Sequence, residues 1–239
     1  MIDRQIFFDN VRPKPFSGAL TQQQVDGMNA IIDAWEADYE SPDLRWLANP
    51  LAQTFHETGG EMWPIEEYKG SDQSYGKVDP QTGQAYYGRG YIQCTHRENY
   101  ARADKEIGLS SAECTEYHAD NMLRPDIAAQ TMFEGMIEGW FRSKDGKPCN
   151  LPRYFNETTN DVFNAREIIN GDKNTVPTWS NGVSIGKLVQ GYHEAFLAAL
   201  ELAYVEEVPV PEPEANTVIV SVIVPEGIKV RLIVNGDEV

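Results

Sequence analysis

Phe55-His56-Glu57-Thr58-Gly59-Gly60 and, further along, Tyr86-Tyr87-Gly88-Arg89-Gly90-Tyr91-Ile92-Gln93-Cys94-Thr95 decide how this 239-residue chain is read. The first stretch is the end of a helix. A short apolar run through Leu51 and Phe55 is stopped by Gly59-Gly60, because glycine readily takes the left-handed conformation that closes a helix. Asn49-Pro50 supplies either the N-cap and first residue of a short helix or a kink within a longer one that starts near Asp43. In both cases Glu57 falls in the last turn, at the negative end of the helix dipole. Phe55 and Trp63 add desolvation. Both effects disfavour the charged carboxylate and raise its pKa. The ordinary alternative is an exposed glutamate at a helix end.

Working outward, residues 21–38 place Val25, Met28, Ile31, Ile32 and Trp35 at helical spacing behind Thr21 as N-cap. Residues 70–95 are rich in Gly, Asp, Ser and Tyr, with a turn at Asp79-Pro80-Gln81-Thr82-Gly83 flanked by short strands. Thr95-His96-Arg97-Glu98 has the capping-box pattern and predicts a helix through Tyr100 and Ala103. Further helices are expected near 126–142, 161–170 and 184–204. The body, residues 1–204, is therefore mainly helical with a small β insert. Residues 205–216 form an acidic, proline-rich linker. Residues 217–239 carry a β-hairpin pattern, with strands at 217–224 and 229–234 around Pro225-Glu226-Gly227. A lone hairpin is marginal in water, so this segment is expected to dock on the body, on another copy or on a partner.

Composition excludes several classes. There are 37 acidic against 20 basic residues, a net charge of −17. That argues against nucleic acid, whose binding needs clustered Lys and Arg, and against anionic membranes. Cys94, Cys114 and Cys149 lack metal-ligand spacing and read as free thiols. His56-Glu57 does not continue into His-Glu-x-x-His, because position 60 is glycine. No metal or cofactor is expected. The start, Met1 to Phe8, lacks the features of a secretory signal, so synthesis in a cytoplasm is expected.

A carboxyl group with a raised pKa suits general-acid work near neutral pH. Glu66-Glu67 supplies a second carboxylate, as glycoside hydrolysis requires; a solvated acidic pair is the plainer reading. Gln93 and Thr95 share a face if their segment is a strand, where an amide and a hydroxyl can hold a water or an N-acetyl group. For Thr95 the cap is the competing role. Tyr86, Tyr87 and Tyr91 are suited to stacking on sugar rings, or to packing around the glycines. Arg89 reads as a structural ion-pair partner.

These two motifs, with Asn99-Tyr100 and with Ile168-Ile169-Asn170-Gly171, resemble the signatures of family 19 glycoside hydrolases, which include chitinases and bacteriophage endolysins. The resemblance extends in style over residues 1–204 and is closer to phage and prophage members, whose motifs are separated by a short spacer. Cys94 departs from the usual aliphatic residue, and residues 217–239 lie outside the pattern. The resemblance implies a lysozyme-like, two-lobed helical fold. It implies Glu57 as general acid, Glu67 or Glu66 as base with register favouring Glu67, Thr95 as the residue that places water, and Tyr87, Gln93, Asn99 and Asn170 as substrate contacts. The expected activity is inverting cleavage of β-1,4 bonds in peptidoglycan. The expected setting is an endolysin made in a bacterial host cytoplasm and released to the cell wall by a membrane pore protein. A chitinase is the same-class alternative. A weakly active structural or binding component of a phage particle or effector, using the hairpin for self-association or partner docking, is the alternative from another class.

Overall fold

The computed structural model describes residues 1–39, 41, 43–67 and 76–205, and the backbone of 233–234 and 237–238. The chain divides into two compact units, Met1–Val205 and Glu206–Val239. The first is mainly helical: α1 (Arg4–Val11), α2 (Gln22–Ala34), α3 (Arg45–Glu57), α4 (Arg97–Ile107), α5 (Pro125–Glu138), α6 (Leu151–Tyr154) and α7 (Ile185–Ala203). Two small antiparallel pairs join them, β1 (Ile65–Glu66) with β2 (Arg89–Gly90), and β3 (Ser143–Lys144) with β4 (Lys147–Pro148). No helix of the described residues is long and apolar enough to cross a membrane.

Local chemistry explains the boundaries. Thr21 and Gln24 form a reciprocal capping box at the start of α2, which satisfies two N–H groups left open at a helix start. Trp35–Tyr39 continues α2 as a short π-helix. The segment before Glu57 is one helix from Arg45 with Pro50 inside it, so the longer of the two alternatives holds. Gly59 and Gly60 follow it with φ of 61° and 88°, and the Gly60 N–H reaches back to the Phe55 carbonyl at 2.8 Å. The expected helix over 126–142 ends at Glu138, where Gly139 adopts the left-handed cap. The expected helix over 161–170 is a 3₁₀ turn, Asn164–Ile168.

The capping box at Thr95 is not formed. His96 precedes α4 with φ of 70°, and no side chain caps the helix. Helices α1 and α6 were not legible as periodic patterns. α1 is instead marked by its cap, Asp3, which accepts the Ile6 N–H at 3.0 Å.

The body holds two hydrophobic clusters, as a two-lobed body requires. The larger is built from α1, α2, α3, α5 and α7, with Phe7, Ile31, Leu51, Phe133 and Phe196 fully buried. The smaller gathers Tyr86, Cys94, Tyr100, Met122 and Trp140. Phe141 packs against both. The two ends of the body meet: Ile2 bridges Tyr204, the Asp3 N–H reaches the Ala203 carbonyl at 2.8 Å, and the Val205 N–H reaches the Met1 carbonyl at 2.9 Å.

The expected linker and most of the expected hairpin, residues 206–232, lie outside the described residues. In the second unit, β5 (Ile233–Val234) pairs antiparallel with β6 (Asp237–Glu238), a pairing that the sequence pattern did not indicate.

The exit from α3 rests on α2. Gln24 donates to the Gly60 carbonyl at 2.9 Å, and a Cβ at Gly27 would sit 1.6 Å from the Met62 carbonyl oxygen. Backbone cannot move aside as a flexible side-chain end can. Gly27→Ala should therefore destabilise the protein by about 3 kcal/mol, the upper part of the overpacking range. Chemical denaturation reads this directly, and a loss under about 1 kcal/mol would show that the helix and the exit loop separate easily.

Candidate active site

A cleft of about 610 Å3 opens where the two hydrophobic clusters approach each other, with Ile92 and Ile169 from one side and Cys94 and Phe141 from the other in its lining. Glu57 and Glu67 both line it. They reach it from different elements, and each is held by its own set of bonds.

Glu57 arrives at the end of α3, where the motif residues around it have separate structural tasks. Phe55 packs on Tyr192 and Phe16, with ring centroids 4.5 and 5.1 Å apart. The Thr58 hydroxyl donates to the Thr54 carbonyl at 2.7 Å and accepts the Met62 N–H at 3.0 Å. These contacts fix the last turn. The Glu57 side chain is 15% exposed, and its Oε1 lies 2.6 Å from Nη1 of Arg166, which is 1% exposed. Arg166 also holds Asp172 through Nε and Nη2 at 2.7 and 3.0 Å, and Gln53 Oε1 through Nη1 at 2.8 Å. Gln53 stands one turn before Glu57 on α3 and donates in turn to the Ala165 carbonyl at 3.2 Å. Burial lifts the Glu57 carboxyl above its ordinary range, and the neighbouring Arg166 opposes that lift without cancelling it. Burial and the same arginine push His56 down to about 4, so it is neutral near pH 7.

Glu67 follows β1. Its N–H reaches the Gly88 carbonyl at 2.7 Å, and its Oε2 accepts the Gly88 N–H at 3.2 Å. Glu66 is exposed and does not line the cleft. It accepts the Tyr87 hydroxyl at 3.1 Å. The pairing extends one residue past β1 through the Glu67 N–H, and successive side chains of paired, extended chain turn to opposite faces, which separates the two glutamates.

The aromatic residues of the second motif are packing residues, contrary to the stacking expectation. Tyr86, Tyr87 and Tyr91 are 3%, 7% and 0% exposed. Tyr87 carries the Arg89 guanidinium 3.8 Å above its ring and is absent from the cleft lining. Tyr86 packs edge-on against Tyr100, and Tyr91 donates to the Gly27 carbonyl. Arg89 is structural, as expected: it bonds the Ala85 carbonyl at 2.8 Å and lies 3.2 Å from Asp120.

Residues 92–95 are not a strand. Gln93 has φ of 56°, and the chain turns between Arg89 and Cys94, which exchange both backbone hydrogen bonds. The alternation argument therefore fails, and Ile92, Gln93, Cys94 and Thr95 all reach the cleft. The Gln93 amide donates to the carbonyls of Ile65 and Gly90 at 3.1 and 3.3 Å, clamping β1 to β2. A Cβ at Gly88 would meet Gln93 Oε1 at 2.8 Å, so a side chain there would push the Gln93 amide out of this position. Thr95 is half-buried in the lining. Asn99 lines the cleft and donates to the Thr95 carbonyl at 2.8 Å. Asn170 is exposed at the opposite wall, with its N–H on the Arg166 carbonyl at 3.1 Å.

The structure thus gathers Glu57, Glu67, Gln93, Thr95, Asn99 and Asn170 around one cleft and leaves Glu66 and Tyr87 outside it. Sequence reasoning missed Arg166, Asp172 and Gln53, and also Arg142, which lines the cleft. Only Gln53 carried a signal, its spacing of one helical turn from Glu57. Among the described residues, no group of three His, Cys, Asp or Glu side chains is placed to hold a metal ion.

No family model matches the chain. Over 165 residues it is 30% identical to an endochitinase of Arabidopsis thaliana, covering 65% of this chain and 53% of that protein. A second Arabidopsis endochitinase is 30% identical over 162 residues with the same coverage. Chitinase 3 of Oryza sativa subsp. japonica is 32% identical over 124 residues, covering 44% of this chain and 35% of that protein. The chain spans about half the length of the Arabidopsis relatives it matches. Solved structures with a similar chain path include chitinase C from Streptomyces griseus HUT6037, with a TM-score of 0.49 and 21% identity over 84% of this chain and 76% of that one. A family GH19, class IV chitinase from Zea mays has a TM-score of 0.48 and 19% identity over 82% and 90%. The sequence relatives agree with the chitinase-like resemblance carried by the motifs.

Because the fold raises the Glu57 pKa, this group's contribution to stability is fully present below its ordinary value near 4.5 and is lost as pH rises through the folded value. Glu57→Gln removes that loss. Its melting temperature relative to the unmodified protein should therefore climb between pH 4 and pH 7. A difference that is flat or falls with pH over that range would show that the Arg166 pair, not burial, dominates at this carboxyl.

Proposed function

We propose that the chain is a glycosidase that hydrolyses β-1,4 bonds beside N-acetylated sugars, with inversion at the anomeric carbon. The observation that carries this reading is the placement of Glu57 and Glu67 on one cleft, one carboxyl lifted by burial and the other held open by a backbone N–H. A carboxyl lifted to hold a proton, with a second carboxyl on the same cleft, is what acid/base glycoside hydrolysis uses.

Glu57, whose carboxyl burial lifts above its ordinary range, gives its proton to the glycosidic oxygen as the bond to the anomeric carbon breaks. Arg166 steadies the carboxylate left behind, and Asp172 and Gln53 hold Arg166 in place. Glu67 takes a proton from a water that attacks the opposite face of the sugar. The Gly88 N–H orients the Glu67 carboxylate for this. The Thr95 hydroxyl, not engaged in a helix cap, is available to that water. Asn99 and Asn170 present amides to the sugar substituents, and Gln93 acts mainly as a positioning residue for the β1–β2 pair. Glu67, not Glu66, is the base in this reading, because Glu66 faces away and carries Tyr87.

The substrate we favour is the peptidoglycan glycan, as in an endolysin, supported by the short spacer between the motifs. Chitin is the second reading and is favoured by the sequence relatives, which are named as chitinases.

Product analysis by mass spectrometry, on peptidoglycan and on chitin oligomers separately, tests the reaction and names the bond. Proton magnetic resonance of the fresh products should show the α-anomer first. Glu57→Gln and Glu67→Gln should each lower kcat by about 10²–10⁴-fold, the usual worth of a positioned acid or base. Glu66→Gln should cost far less. Full activity in Glu57→Gln would overturn the assignment of the acid, and absence of products from both glycans would overturn the glycosidase reading.

A further inference from the structure

The wall of the cleft that carries Asn170 also carries Arg142. Its backbone is fixed. The Cys149 N–H bonds the Arg142 carbonyl at 2.9 Å, closing the β3–β4 hairpin, and Arg153 braces that hairpin through the carbonyls of Lys144, Lys147 and Pro148 at 3.3–3.4 Å. Its side chain is placed as well. The guanidinium lies over Gly171, where a Cβ would meet Nη2 at 2.7 Å and Nη1 at 3.0 Å. Glycine next to Asn170 therefore gives the guanidinium its seat in the lining.

What this guanidinium lacks, among the described residues, is an anion. Every other arginine among the described residues has a carboxylate, a carbonyl or an aromatic ring against it, as with Arg166 on Asp172, Arg153 on the hairpin carbonyls and Arg102 over Trp140. Arg142 has none of these among the described residues, in a chain of net charge −17. Arg142 is itself exposed, and an exposed arginine can simply be hydrated. This one is also seated on glycine in the lining of a cleft, with no described residue on its fork, and is set to receive a planar anion from the ligand.

We propose that Arg142 is a specificity-determining residue that binds a carboxylate carried by the glycan, so that the cleft favours an N-acetylated glycan with acidic substituents over a neutral one. This rests on the glycosidase reading of the same cleft. A polymer of N-acetylglucosamine offers no anion to Arg142. A glycan whose alternate sugars carry a lactyl group offers one, either as the free lactyl carboxylate or through the peptide attached to it.

The test compares kcat/KM on three probes: chitohexaose, glycan strands stripped of peptides by an amidase, and uncrosslinked strands that keep their peptides. The two acidic probes separate the lactyl from the peptide carboxylate. The unmodified protein should prefer at least one of them to chitohexaose. Arg142→Gln should lower that preference by about tenfold or more, the worth of a charge-assisted hydrogen bond. Arg142→Lys should restore part of it. Gly171→Ala, which displaces the guanidinium without changing charge, should lower it too. Equal losses on all three probes would reduce Arg142 to a wall residue and overturn the proposal, as would a preference for chitohexaose in the unmodified protein. Calorimetric binding of the same probes to Glu57→Gln, with and without Arg142→Gln, reads selectivity without turnover. If no probe is cleaved but acidic strands bind in an Arg142-dependent way, the glycosidase reading fails and the carboxylate site stands.

Discussion

A guanidinium with 1% of its surface exposed, Arg166, is the constraint on which the site depends. Removing such a charge from water costs several kcal/mol, and partners must offset it. Here the partners are Glu57 and Gln53, from α3, and Asp172, from the chain just after Asn170. The arginine therefore joins the end of one helix to the opposite wall of the cleft. It also sets the chemistry of Glu57. Burial raises the carboxyl's affinity for a proton and the guanidinium lowers it, and the balance is upward because burial is the larger influence.

The other carboxylate is governed by a different principle. Glu67 is not paired with a cation in the described structure. Its position is set by backbone: two hydrogen bonds with Gly88, and a Gln93 side chain that ties β1 to β2 from above. The proposed acid is held by charge and burial, the proposed base by a small piece of sheet. This division explains why the second motif is rich in glycine and in buried tyrosines. Gly88 leaves room for Gln93 against the ribbon, Tyr86 anchors the ribbon in the smaller hydrophobic cluster and Tyr91 anchors it in the larger.

Much of this was legible in the sequence because the signals were local. The Gly-Gly stop after Glu57, the Thr21 cap and the turn at Asp79 each depend on a few neighbouring residues. The Asp79 carboxylate accepts the N–H groups of Gln81 and Thr82 at 2.8 and 3.2 Å, as the residue pattern indicates. The failures came where a local pattern had two outcomes, or where the cause was distant. Thr95 has the composition of a cap but sits before a residue with positive φ. Tyr87 has the chemistry of a sugar platform but was needed under Arg89. Residues 92–95 alternate as a strand does, yet the left-handed Gln93 turns them. Arg166 meets Glu57 across a separation that no window of sequence covers, and nothing in Ala165-Arg166-Glu167 says that its charge is buried.

The meeting of Met1–Asp3 with Ala203–Val205 has a consequence for how the helical body can be carried. Chain enters and leaves it at one point, so the cleft needs only a single place of attachment. A body of this kind can be spliced into an exposed loop of a host protein, or have its ends joined and new ones opened elsewhere, without spanning any distance across its surface. The cleft is, in that sense, a portable part.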